Sequence, residues 1–110
     1  MSHRLAKINE LIKQELGKII LENEEFGQGV LTTVMEVETS LDLLHANVFV
    51  SVYPTRAGKT VIEILNRHIF GLQQGLNKKL KMRPVPKIRF VLDKTEAEAE
   101  QIGKIVEKGD

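Results

Sequence analysis

Leu5, Ile8, Ile12, Leu16, Ile19 and Ile20 recur at helical spacing, with Arg4, Lys7, Lys13 and Lys18 between them. Apolar residues three and four apart line one side of a helix, so the opening predicts an amphipathic helix with Ser2 as its N-cap. It fades in "ENEEFGQG", where Gly27 and Gly29 mark a loop. The period then changes. Leu31, Thr33, Met35 and Val37 are expected on one side of an extended chain, with Glu36 and Glu38 on the other. Ala46, Val48, Val50 and Val52 alternate with Asn47, Phe49, Ser51 and Tyr53. Both runs are rich in β-branched residues, and the short "SLDLLH" between them predicts an antiparallel hairpin closed by Pro54.

After the turn "TRAG", Thr60 and Glu63 have capping-box spacing. Val61, Ile64, Leu65, Ile69 and Leu72 follow at helical period, continued by Leu76 and Leu80. Gly71 and Gly75 interrupt this stretch at about 1 kcal/mol each relative to alanine, which predicts a break near Gly71. Pro84 and Pro86 end the helix because each disfavours αR in the residue before it. Ile88, Phe90 and Leu92 then predict a third strand. "KTEAEAEQIGKIVEKGD" reads as a short terminal helix, with Thr95 and Glu98 again at capping-box spacing. The expected architecture is α+β: one three-stranded sheet burying one face against helices, plus a short C-terminal helix. Residues 1–93 form the domain and residues 94–110 an acidic helical tail.

Composition narrows the class. The chain has 110 residues, enough for one core, and 42% of them are hydrophobic. It has no cysteine, which excludes disulfides and thiolate metal sites and fits a reducing compartment. No segment approaches the roughly 18 apolar residues of a spanning helix, and "MSHRLAKINE" has no apolar run to serve as a signal peptide. A cytoplasmic protein with no membrane contact is expected.

Candidate chemistry is sparse. "AGKT" at 57–60 lacks the second glycine of a phosphate-binding loop, since position 53 is Tyr. "GQG" at 27–29 precedes a strand, where a dinucleotide fingerprint follows one. His3, His45 and His68 lie on three different elements with no ligand-like spacing, so no metal is expected. Ser2, Ser40 and Ser51 have no signature of an activated nucleophile. Neither catalysis nor a cofactor is expected. Phe49 and Tyr53 share the polar side of the second strand, where they could stack bases or lie under the tail.

The net charge of +1 conceals a strong asymmetry. Residues 22–42 hold six acids and no base, whereas residues 43–94 hold ten bases and two acids. Six of those bases lie in "LNKKLKMRPVPKIRFVLD", Leu76 to Asp93, with no acid until the last residue. Lysines near a helix C-terminus complement its dipole, which accounts for Lys78, Lys79 and Lys81 without any partner. It does not account for Arg83, Lys87 and Arg89, which lie beyond the helix. A continuous positive surface implies an anionic partner such as nucleic acid. Arg67, Arg4 and Lys7 widen it if the fold brings them near.

Three stretches resemble the ribosome-binding factor A family: "RLAKINELIKQELGKII", "VETSLDLLHANVFVSVY" and "LKMRPVPKIRFVLD". In the last, Arg83, Val85, Pro86, Ile88, Phe90 and Asp93 follow that family's R-x-V-P-x-[IL]-x-F-x-x-D pattern. The resemblance implies a KH-like fold of type II order, α-β-β-α-kink-α-β. In the family the kink has Ala-x-Gly, where this chain has Ile69-Phe70-Gly71. Gln74 stands where the family often has arginine, and Lys87 where it more often has an acid.

The resemblance further implies a non-enzymatic factor that binds the small ribosomal subunit and its rRNA during late maturation. Such a factor assists processing of the precursor's 5′ end. It also implies a positive RNA-contacting surface at Gly71, Lys78, Lys79, Lys81, Arg83 and Arg89, to which the charge pattern adds Arg67, Lys87, Arg4 and Lys7. Ribosomal proteins are further candidate contacts, and a monomer is expected. Two other readings stay open from charge alone: a general KH-like module for single-stranded nucleic acid, and a protein-interaction domain.

Overall fold

The computed structural model of the chain describes residues 2–93. The terminal helix expected over the tail, with its Thr95–Glu98 cap, lies outside the described residues, as does the tail's separation from the domain. The elements run α1 (Ser2–Asn23), β1 (Leu31–Thr39), β2 (His45–Tyr53), a 3-10 turn (Thr55–Ala57), α2 (Gly58–Arg67), α3 (Ile69–Lys79) and β3 (Lys87–Leu92). The sheet order is β1-β2-β3. β1 and β2 pair antiparallel, while β2 and β3 pair parallel because two helices intervene.

The core follows the period of each segment. Ala46, Val48, Val50 and Val52 all point inward from β2, joined by Ile88 and Phe90 of β3. Against them pack Ile12, Leu16, Ile19 and Ile20 of α1, Val61 and Leu65 of α2, and Leu72 and Leu76 of α3. Burying a large aliphatic or aromatic side chain contributes about 1.5–3 kcal/mol, so these positions carry the fold's stability. At Gly75 α3 faces α1: a Cβ there would meet Ile19 side-chain atoms at 3.5 and 3.6 Å, an ordinary contact distance.

β1 departs from the sequence expectation. Val34 and Val37 are buried, while Leu31 and Met35 are exposed and Thr33 points away with them. Val34 pairs with Val50 and Glu36 with Phe49, so Met35 is an extra residue without a partner. This bulge shifts the side-chain phase by one position and breaks the strict alternation of an unbroken strand.

Two helix boundaries also move. α2 begins at Gly58, whose N–H donates to Thr55 O of the preceding 3-10 turn. The residue before the helix is Ala57, with no side-chain cap, so Thr60 and Glu63 lie within α2 and form no capping box. Gly58 itself is buried, with space for a Cβ limited by Leu92 methyls at 3.0 Å, so the glycine of "AGKT" serves close packing. The break between α2 and α3 falls at His68 (φ −95°, ψ 13°), three residues before Gly71. The His68 side chain meets Glu24, the residue just after α1. Gly71 sits in the first turn of α3.

The hairpin turn is built by side chains. The Asp42 carboxylate accepts from the Ser40 hydroxyl at 2.6 Å and from the Leu44 N–H at 3.0 Å. These two bonds, the hydroxyl first, hold the Asp42 carboxyl below the ordinary aspartate range. Leu43 takes a positive φ of 66° to close the turn.

Candidate nucleic-acid interface

One end of the molecule gathers the basic residues. α1 and α3 run antiparallel, since Ile19 packs by Gly75 and Glu24 reaches His68. The start of α1 is tied to the end of β1 by the Thr39 N–H, which donates to Asn9 Oδ1 at 3.0 Å. Thr39 pairs with Ala46, and His45 pairs with Lys87. The start of α1, the end of α3 and the start of β3 therefore share one end of the domain. Arg4, Lys7, Lys78, Lys79, Lys81, Arg83 and Lys87 all belong to it, and all are exposed.

The remaining sequence candidates lie elsewhere. Gly71 is two turns up α3 from Lys78, about 10 Å along the axis. Arg67 stands beyond it, across the junction. Arg89 projects with Lys87 from the sheet face opposite Ile88 and Phe90, away from the core, beside Asn47. The basic surface thus wraps around the β3 edge from the helical layer to the sheet face opposite the core.

Among the described residues, His68 alone of the cationic and histidine side chains pairs with a carboxylate. The other positive charges of this surface have no carboxylate ion-pair partner among the described residues. Arg83 has a second task. Its Nη1 donates to Leu80 O at 2.8 Å and Met82 O at 2.7 Å, which folds the guanidinium against its own loop. The loop after α3 is thereby held by the same residue that contributes charge to it.

Two carboxamides seal the outer edge of β3. Asn66 Nδ2 donates to Phe90 O, and the Phe90 N–H donates to Asn66 Oδ1, both at 3.2 Å. Gln73 Nε2 donates to Pro86 O at 3.1 Å, and the Ile88 N–H donates to Gln73 Oε1 at 2.9 Å. Backbone groups that an edge strand leaves unpaired are thus satisfied by helix side chains. This edge is closed to strand addition, and the neighbouring cations remain open to solvent.

Sequence reasoning missed the groups at the junction. Glu24, with a side chain only 8% exposed, lies 2.8 Å from His68 Nδ1. Phe70 is 75% exposed beside it. Asn66, Gln73, Glu24 and His68 carried no signal because their partners lie 13 to 44 residues away. Phe70 follows Ile69 in an apolar run, and its outward direction depends on where the helix breaks.

A cavity of about 790 Å³ opens between the second half of α1 and the first half of β1. Gly17, Leu21, Phe26 and Leu31 line it, and none of the basic residues or the glycine of the candidate surface does. No group of three or more His, Cys, Asp or Glu suited to a metal occurs among the described residues. No described helix is long and apolar enough to cross a membrane.

These features define a KH-like α+β domain with one markedly cationic end. The sequence profile described as Ribosome-binding factor A matches residues 4–106, and the chain belongs to that family. Similar relatives include ribosome-binding factor A from Akkermansia muciniphila, 37% identical over 84% of this chain and 74% of the relative. One from Phenylobacterium zucineum is 34% identical over 94% of this chain and 74% of the relative. The crystal structure of ribosome-binding factor A from Thermus thermophilus shares the fold, with a TM-score of 0.71 at 24% identity. The match covers 80% of this chain and 93% of that one. A Thermus thermophilus homology model fitted into a cryo-EM map of a 30S–ribosome-binding factor A complex gives a TM-score of 0.65 at 25% identity. That match covers 77% of this chain and 90% of the other.

Proposed function

We propose that this chain is an assembly factor that docks on the small ribosomal subunit during late maturation. It contacts small-subunit rRNA through the cationic end and assists processing of the precursor's 5′ end. It acts in the cytoplasm as a monomer and performs no chemistry of its own. The observation that carries this reading is the gathering, at one end of a member of this family, of cations from α1, the end of α3, the following loop and β3 that have no carboxylate partner among the described residues. Each lysine or arginine that neutralises a phosphate releases counterions, which gives affinity without reading sequence. Folded RNA is recognised largely by shape and backbone, and a rigid domain whose β3 edge is already satisfied presents charge to such a surface. The acidic stretch 22–42 is the candidate contact for a ribosomal protein.

The test is charge reversal at Lys78, Lys79 and Lys81 together. Arg83 is left intact because its guanidinium also supports the loop. The triple glutamate variant is expected to lose co-sedimentation with small subunits while its circular dichroism spectrum stays native. Undiminished co-sedimentation would remove this end from the interface. Equal affinity for short single-stranded oligonucleotides would point to a general single-strand binder instead.

A further inference from the structure

We infer that Phe70 is a stacking site for one unpaired nucleobase of the bound RNA; this rests on the reading above and names a ligand group for it. Phe70 is 75% exposed, in the first turn of α3. Its setting is not that of an apolar protein-binding patch. Among its near neighbours on the chain, Asn66, Arg67, His68, Gly71 and Gln74 are exposed, and all are polar or lack a side chain. Apart from its two chain neighbours and the backbone of its own helix, Gly71 has no atom within 4 Å of the position a Cβ would take, so the backbone beside the ring is open on that side.

A flat ring, an open backbone and a cation on either side match the parts of a nucleotide. The ring offers a face to the base. Arg67 three residues before and Lys78 eight residues after, about 12 Å along the helix, offer charge to neighbouring phosphates. Stacking on an aromatic face tolerates any base, because every base has a π-face. The site therefore selects an unpaired nucleotide over a paired one without selecting its identity. The His68–Glu24 contact, at 2.8 Å, ties the residue at which α2 ends and α3 begins, two positions before the ring, to the residue just after α1.

The chain contains no tryptophan, so Phe70→Trp installs a unique fluorophore at the site. Binding to purified small subunits is measured for the native chain, Phe70→Ala, Phe70→Leu and Phe70→Trp over a salt series. Phe70→Ala and Phe70→Leu are expected to bind about 5- to 150-fold more weakly with an unchanged salt slope. Phe70→Trp is expected to retain affinity, and its fluorescence to be quenched on binding. Native affinity in Phe70→Ala, or an unquenched tryptophan in a saturated complex, would overturn the stacking site while leaving subunit binding intact. Full affinity in Phe70→Leu with loss in Phe70→Ala would show an apolar contact with a ribosomal protein, and would overturn it as well. If the native chain fails to bind subunits, the functional reading fails and the stacking site fails with it. The lysine reversal, which lowers affinity and flattens the salt slope, separates the charge contribution from that of the ring.

Discussion

Asn66→Leu tests whether the β3 edge is closed by side chains and not merely passed by them. Leucine keeps the bulk of the position and slightly raises its helix propensity, but removes both bonds to Phe90, each 3.2 Å long. A typical intramolecular hydrogen bond contributes about 0.5–1.5 kcal/mol net, so losing two costs about 1–3 kcal/mol. The upper half of that range applies if water cannot replace the amide. Phe90 is only 2% exposed, which restricts water on the core side, but Asn66 itself is on the surface. For a domain of this size each kcal/mol lowers Tm by about 4–8 °C, so a fall of roughly 4–24 °C is expected. Urea unfolding followed by far-UV circular dichroism gives the free energy directly. Native-state hydrogen exchange adds the local readout: protection of the Phe90 amide should fall, while that of Ile88, held by Gln73, should persist at the new global limit. A loss below about 0.5 kcal/mol, the floor for a single such bond, with the Phe90 amide as protected as before would show that the carboxamide is dispensable and the argument wrong.

Other outcomes follow from the same geometry. Gly75→Ala should stabilise the domain by up to about 1 kcal/mol, because a Cβ there meets Ile19 only at ordinary contact distance and helix propensity improves; chemical denaturation checks it. Leu65→Ala should cost about 2–5 kcal/mol, since Leu65 is fully buried between α2 and the sheet; a smaller loss would mean the site collapses around the gap. Asp42 has a lowered pKa in the folded chain, so its contribution is present above the ordinary aspartate pKa of about 3.9 and is lost as pH falls through the lower folded value. Asp42→Asn should therefore flatten the dependence of Tm on pH below about pH 4 and leave its slope unchanged near pH 7.

Much of this fold is legible in the sequence because burial imposes a period. β2 reads correctly from its valines alone, since every second residue enters the core. α1 reads correctly because Ile12, Leu16, Ile19 and Ile20 share one stripe. β1 misleads because Met35 is inserted without a partner, and nothing in "LTTVMEVET" shows where the extra residue falls. The helix break misleads for a different reason. Local cost points to the glycine, but the break lies at His68, whose side chain meets a glutamate 44 residues earlier. The charged stretch was legible as composition, and its gathering with Arg4 and Lys7 was not, because that depends on α1 running antiparallel to α3. Asn66 and Gln73 look like solvent-facing helix residues until β3 is laid beside them.

The Glu24–His68 contact bears on how the domain can be divided. The bend that presents Phe70 and orients α3 is fastened from the first helix and not from within the stretch that bends. A miniature built from residues 58–93 would keep the lysines and arginines of α3, its following loop and β3 but lose the brace that sets their angle. Transplanting the cationic surface to another scaffold therefore requires Glu24 and the end of α1 to travel with it.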